Sequence, residues 1–220
     1  MKKSKFYLVI TGGAFIAIAA IMFTVSSCNK SEQVVTPHPP ANEFLTTVVM
    51  QCINNNAPHD TETCIWRDLT PSGTNPPDTS EAFLSLAKNT TYAVKLYALD
   101  ETKSPTALVD TNHFNINKLP STTVDVQIEL EQRVNYHLIC FTLTEGTGVG
   151  LVNDLTIVRD DYDNNNPPLQ VGFVDTYTTL NNTVSGGRME VVQHHQPNVK
   201  NGDCSPGSVD YDVFFTVNVK

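Results

Sequence analysis

The chain contains no C-x-x-C pair, no G-x-S-x-G and no H-E-x-x-H, so the local signatures of zinc ribbons, redox thiols, serine hydrolases and zinc peptidases are missing. No serine or cysteine sits in a local pattern that would activate it, and the chain reads as noncatalytic. Positive charge is scarce: 14 Lys and Arg stand against 23 Asp and Glu, a net charge of −9. Without a basic stripe, nucleic acid and electrostatic binding to an anionic membrane are excluded as partners. Helical periodicity is nearly absent, Glu129 to Val134 being the one stretch with a helical look, and no internal repeat is visible. Tryptophan is reduced to Trp66, which reads as a core or rim aromatic rather than a platform for ligand stacking.

What is present starts with an apolar run. Lys2, Lys3 and Lys5 precede Phe6 to Phe23, apolar apart from Thr11, Gly12 and Gly13, which is the layout of a secretory signal. The run is also long enough for an uncleaved transmembrane helix. It closes on Val25-Ser26-Ser27-Cys28, however, rather than on a basic stop-transfer cluster, and this ending resembles the lipobox of bacterial lipoproteins. The resemblance implies cleavage before Cys28, lipidation of its thiol, and a protein tethered to a membrane by acyl chains. Residues 1–27 are therefore expected to be signal peptide. Residues 28–42, polar and rich in proline (Thr36-Pro37-His38-Pro39-Pro40), are expected to be a flexible tether, and 43–220 the folded domain. Removing 1–27 takes away three lysines and no acid, so the net charge moves from −9 to −12.

The domain is short enough for one core. Glu43 to Ile53, Thr63 to Leu69, Ala82 to Leu86, Thr91 to Leu99 and Thr122 to Leu130 read as strands, with Asp100 to Pro120 irregular. Tyr136 to Leu143, Leu155 to Arg159, Leu169 to Thr179, Arg188 to His195 and Val209 to Val219 follow. In Thr91 to Leu99, Tyr92, Val94, Leu96 and Ala98 alternate with Ala93, Lys95, Tyr97 and Leu99. Short strands between Gly, Pro, Asn and Asp turns predict an all-β fold, an antiparallel immunoglobulin-like β-sandwich of about seven to nine strands.

Four cysteines remain once Cys28 carries lipid. In an exported protein they are expected to pair. Cys52 and Cys64 lie at the facing ends of consecutive strands and are the favoured bridge, which leaves Cys140 and Cys204 as the second.

Two patterns offer cation ligands. Asp161, Asp163 and Asn165 stand at the 1, 3, 5 spacing that wraps oxygens around calcium, but Asn166 and Gly172 replace the glycine and the bidentate glutamate of an EF-hand. The competing reading is a polar hairpin loop whose Asx side chains cap their own backbone. His137 opens one strand and His194-His195 closes another. Adjacent strand residues face opposite ways, so at most one of that pair, with His195 as the candidate, can join His137 and a carboxylate in a zinc or copper site. The competing reading is ordinary strand histidines. Gly146-Thr147-Gly148-Val149-Gly150 lacks the lysine of a P-loop and the helix of a Rossmann turn, and reads as a flexible connection.

Several stretches together resemble a group of small outer-membrane lipoproteins from Bacteroidetes: Asn42 to Val48, Trp66-Arg67-Asp68, Asn89 to Tyr92, Tyr136-His137-Leu138, Asp161 to Asn164 and Pro206 to Val213. The resemblance covers 43–220, with Thr106 to Val124 departing from the shorter, acidic segment usual there. Members often carry the label "type 1 periplasmic-binding domain". Such a fold needs repeated βα units, which this sequence lacks. The resemblance implies a lipid-anchored envelope protein on one face of the outer membrane. The group carries no settled function; the expectation for this chain is that its β-sandwich binds a ligand, metal or partner protein as an accessory to an outer-membrane uptake receptor. The alternative is a structural or adhesive surface module that meets a host or neighbouring cell and takes no small ligand.

Overall fold

A computed structural model describes residues 45–70, 75–102, 107–110 and 134–220. The expected signal peptide (1–27) and tether (28–42), Cys28, the strand expected at Thr122 to Leu130 and all but Val134 of the helical-looking Glu129 to Val134 lie outside the described residues.

Among the described residues ten strands follow in chain order: β1 (Thr47–Asn54), β2 (Thr61–Arg67), β3 (Phe83–Leu86), β4 (Thr91–Asp100), β5 (Ala107–Asp110), β6 (His137–Glu145), β7 (Leu155–Arg159), β8 (Val174–Thr179), β9 (Val184–His195) and β10 (Ser208–Val219). They form two sheets. One runs β2-β1-β4-β8-β7 with β5 also on β4, and the other runs β3-β10-β9-β6. All pairings are antiparallel except β3 with β10, which is parallel. The fold is thus the expected all-β sandwich, with one departure from a purely antiparallel ladder.

Alternation builds the sandwich. Along β4, Tyr92, Val94, Leu96, Ala98 and Asp100 are buried while the residues between them are half-exposed. The inward side chains of both sheets, among them Met50, Leu96 and Tyr177 from the first and Met189, Val213 and Phe215 from the second, belong to one cluster. Phe141 meets Tyr177 across the gap edge-on, with ring centroids 6.0 Å apart. Burying each such side chain contributes about 1.5–3 kcal/mol. Trp66 packs partly buried against this core.

Two strand expectations need correction. Ala107–Asp110, within the stretch read as irregular, pairs with β4 and places Leu108 opposite Leu99. Leu169 to Thr179 is not one strand, and regular pairing begins only at Val174. Gly172 has φ +100°, and the N–H groups of Gly172 and Phe173 donate to the Asp161 carboxylate instead of to a neighbouring strand. Gly146, Gly148 and Gly150 all have positive φ, and a single 3-10 turn (Leu151–Asn153) follows them.

The cysteine expectation also changes. Cys140 and Cys204 are bridged, with their Cα atoms 6.1 Å apart, while Cys52 and Cys64 are free and buried. Cys52 lies opposite Glu62, and Cys64 lies opposite Met50. The two are diagonal neighbours, a relation that sets Cα atoms roughly 7–8 Å apart, beyond the usual reach of a disulfide. Burial pushes the Cys64 thiol up to about 12 and the Cys52 thiol well above its ordinary value, so both stay protonated and unreactive.

Candidate metal centre

The core-facing series of β6 and β9 turns polar at one end of the sandwich. His137 at the start of β6 lies directly opposite His195 at the end of β9. Directly opposed residues project from the same face of a sheet, so the two imidazoles meet with centroids 5.1 Å apart. His137 Nε2 and His195 Nδ1 are 2.9 Å apart. His194 projects from the other face, as strand alternation requires.

The third member comes from an irregularity. Between β9 and β10, Val209 pairs with His194 and Tyr211 pairs with Gln193, which leaves Asp210 as the extra residue of a β-bulge. A bulge re-aims a side chain that simple alternation would send elsewhere. Asp210 Oδ2 lies 3.3 Å from His137 Nε2 and 3.9 Å from His195 Nδ1. The buried Gln193 donates from Nε2 to the same Asp210 oxygen at 3.3 Å. Hydrogen bonding of this kind orients a ligating carboxylate.

These three ligand atoms lie within 4.8 Å of one another, and among the described residues no other group of His, Cys, Asp and Glu converges so closely. From the separations of 2.9, 3.3 and 3.9 Å, the in-plane point equidistant from all three atoms lies about 2.0 Å from each, the length of a zinc–nitrogen or zinc–carboxylate bond. Two imidazoles and one carboxylate suit zinc, copper or nickel better than calcium or magnesium. His137 is 6% exposed, whereas the His195 and Asp210 side chains are 23% and 32% exposed. The centre is walled on the core side and reachable from the rim.

The loop from Gln196 to Gly207 joins two of the three ligands and is tied down at several points. Gln196 is fully buried and donates from Nε2 to the carbonyls of Asp203 and Pro206, and its N–H donates to Tyr136 O. Gly207 has φ +90°, and a Cβ there would stand 2.1 Å from His195 O, so only glycine permits this approach. The Cys140–Cys204 bridge fastens the loop to β6, three residues beyond His137.

No family model, curated protein or solved structure matches this chain. Function therefore rests on the geometry.

The other predicted ligands are engaged elsewhere. Asp161 accepts from Gly172 N at 2.6 Å and Phe173 N at 3.0 Å, which caps the irregular approach to β8. Asp163 accepts from Leu169 N and Asn165 N at Oδ1, and from Lys200 Nζ (2.7 Å) and Asn165 Nδ2 at Oδ2. Burial pushes the Asp163 carboxyl up, but the bonds from Leu169 N–H and Lys200 outweigh it and hold the group below its ordinary value. Asn165 presents its amide nitrogen to Asp163, so a calcium ion there would have to displace an ammonium and several amides. The Asx side chains act as backbone caps.

Asp210 and Gln193 are the site residues that the sequence pattern did not single out. The one local hint is Gly207, three residues before Asp210, in a turn that reverses the chain beside His195.

Proposed function

We propose that this chain is an exported, lipid-anchored protein of the bacterial outer membrane. Its β-sandwich captures a transition-metal ion at the His137, His195 and Asp210 rim, noncatalytically, and serves as an accessory to an uptake receptor. The observation that carries this reading is the convergence of two imidazole nitrogens and one carboxylate oxygen around a point at metal–ligand distance. Three protein ligands leave a coordination position for water or for a ligand from a partner. An accessible site of that kind suits capture and transfer, whereas a closed four-ligand site suits permanent retention. The Ser26-Ser27-Cys28 ending of the apolar run supports the anchor.

The test is native purification from the membrane with metals measured by mass spectrometry. About one equivalent of zinc or copper is expected in the wild type, and loss of it in His137→Ala and His195→Ala. Metal content equal in all three proteins would refute the site. Cys28→Ser is expected to release the protein from the membrane fraction, and unchanged membrane retention would refute the anchor.

A further inference from the structure

Beside the metal centre, three segments enclose a cleft of about 480 Å³. The turn at 134–136 supplies Tyr136, the loop after β7 supplies Asn166 and Pro167, and the loop after β9 supplies Asn198, Lys200 and Asn201. Its walls are fixed to one another. Lys200 Nζ bonds Asp163 Oδ2 at 2.7 Å and Val134 O at 3.0 Å, with side-chain exposures of 3% and 0% for the ion pair. Asn135 accepts from Asn164 N at its Oδ1 (2.8 Å) and from Asn165 Nδ2 at its carbonyl (3.1 Å). The cleft is therefore built in advance by a buried ion pair and paired amides, and its volume falls in the range of small-ligand sites.

Its chemistry is neutral. Lys200 is the one charged side chain among the described lining residues, and its ammonium is already committed to Asp163 and Val134. A phosphate or carboxylate ligand would find no spare cation, and a cationic ligand no carboxylate. The Asn166 and Asn198 side chains form no hydrogen bond within the described chain, so each offers an amide donor and an amide acceptor together. A sugar hydroxyl both donates and accepts, and matches such amides pair by pair. Tyr136 adds an aromatic ring of the kind that packs on the apolar face of a pyranose. Pro167 and Leu169 add apolar wall beside the ring, but none of the lining residues belongs to a strand, so the cleft offers a peptide no strand edge on which to pair its main chain.

We infer that this asparagine-lined cleft binds a neutral saccharide. The inference stands apart from the metal centre, although Tyr136 adjoins both, its ring lying 6.4 Å from that of His195.

The test uses the full-length lipoprotein in a detergent without a sugar headgroup, run on native gels containing dissolved glucan, xylan or galactomannan. Parallel gels contain polygalacturonate or gelatin. Retardation by at least one neutral polysaccharide is expected. The double variant Asn166→Ala/Asn198→Gly, which loses no internal bond and keeps the left-handed backbone at 198 (φ 62°), should bind that polymer roughly ten- to thirtyfold more weakly, as the loss of two neutral hydrogen-bonding groups implies. Its metal content, measured on the same sample, should be unchanged. Failure of every neutral polymer to retard the protein overturns the inference, as does equal retardation of the double variant. Retardation by gelatin or polygalacturonate alone also overturns it, and assigns the cleft to peptide or to acidic polymer.

Discussion

Asp175 is expected to make this protein less stable as pH rises. It sits on the inward face of β8, 1% exposed, and neither carboxyl oxygen has a hydrogen-bond partner. Burial, and then the nearby charge of Asp161, push its pKa to about 9, with Arg159 pulling only partly the other way. An unfolded chain releases that proton near pH 4. Between these two values the native state holds a proton that the unfolded state has lost, so the contribution to stability is complete below about pH 4 and declines as pH rises toward 9. The slope is about 1.4 kcal/mol per pH unit, or on the order of 3 kcal/mol between pH 5 and pH 7. Asp175→Asn keeps the shape and removes the titration. Urea unfolding at pH 5, 6, 7 and 8, followed by the fluorescence of the single tryptophan Trp66, should show the wild type losing stability relative to the variant at that slope. Other titrating groups are common to both proteins and cancel in the difference. A wild-type-minus-variant difference that stays constant from pH 5 to pH 8 would refute the reasoning.

Four further outcomes are expected. His194→Ala, on the opposite face of β9, should retain metal where His195→Ala loses it, a contrast read directly by elemental analysis. The double variant Cys140→Ser/Cys204→Ser opens a bridge between residues 64 apart and should cost about 4 kcal/mol in chemical denaturation on the chain-entropy model. Reducing agent should leave Cys52→Ala no less stable than before treatment relative to wild type, because that thiol is unpaired. Gly207→Ala forces a left-handed backbone and a collision with His195 O, costing on the order of 2 kcal/mol or more, and should weaken metal retention in the protein that still folds.

The sandwich was legible because its strands alternate. Tyr92, Val94, Leu96 and Ala98 face inward as their spacing requires, and β7 begins and ends at Leu155 and Arg159 as expected. What the sequence could not carry was relation between strands. His137 and His195 are recognisable as strand histidines, but their being opposite depends on β6 lying beside β9, 58 residues away in the chain. Cys52 and Cys64 look paired along the sequence because a hairpin brings their strands together. The register sets them one diagonal apart, while Cys204 reaches Cys140 through a loop with no strand pattern. Asp210 was hidden for another reason. A bulge breaks the period of two on which every facing argument rests, so the residue whose side chain completes the cluster is the one whose direction the pattern cannot give. The 1, 3, 5 acids were visible for their spacing, but the same side chains serve equally well to cap backbone, and the donors that claim them lie at Gly172, Phe173, Leu169 and Lys200.

The rungs between β6 and β9 support the proposal that the rim is a metal site rather than a frayed end of the core. Leu143 faces Met189, Phe141 faces Val191, Ile139 faces Gln193 and His137 faces His195. The first two rungs are apolar, the third is mixed and the last is polar on both strands. His137 is nonetheless nearly as buried as the apolar residues beside it. A leucine pair at that rung would bury without needing a partner for any polar atom, whereas the buried imidazole of His137 needs one and meets His195 and Asp210 at its Nε2. The bulge at Asp210 is a second departure, since it leaves one residue outside the β9–β10 ladder. The left-handed turn at Gly207, closed against His195 O, is a third. Each departure weakens the sheet taken alone, and all three converge on the same few ångströms. Local rules of sheet formation are broken together where something other than stability sets the residues. Here the common product of the three departures is a set of two nitrogens and one oxygen spaced for a metal ion.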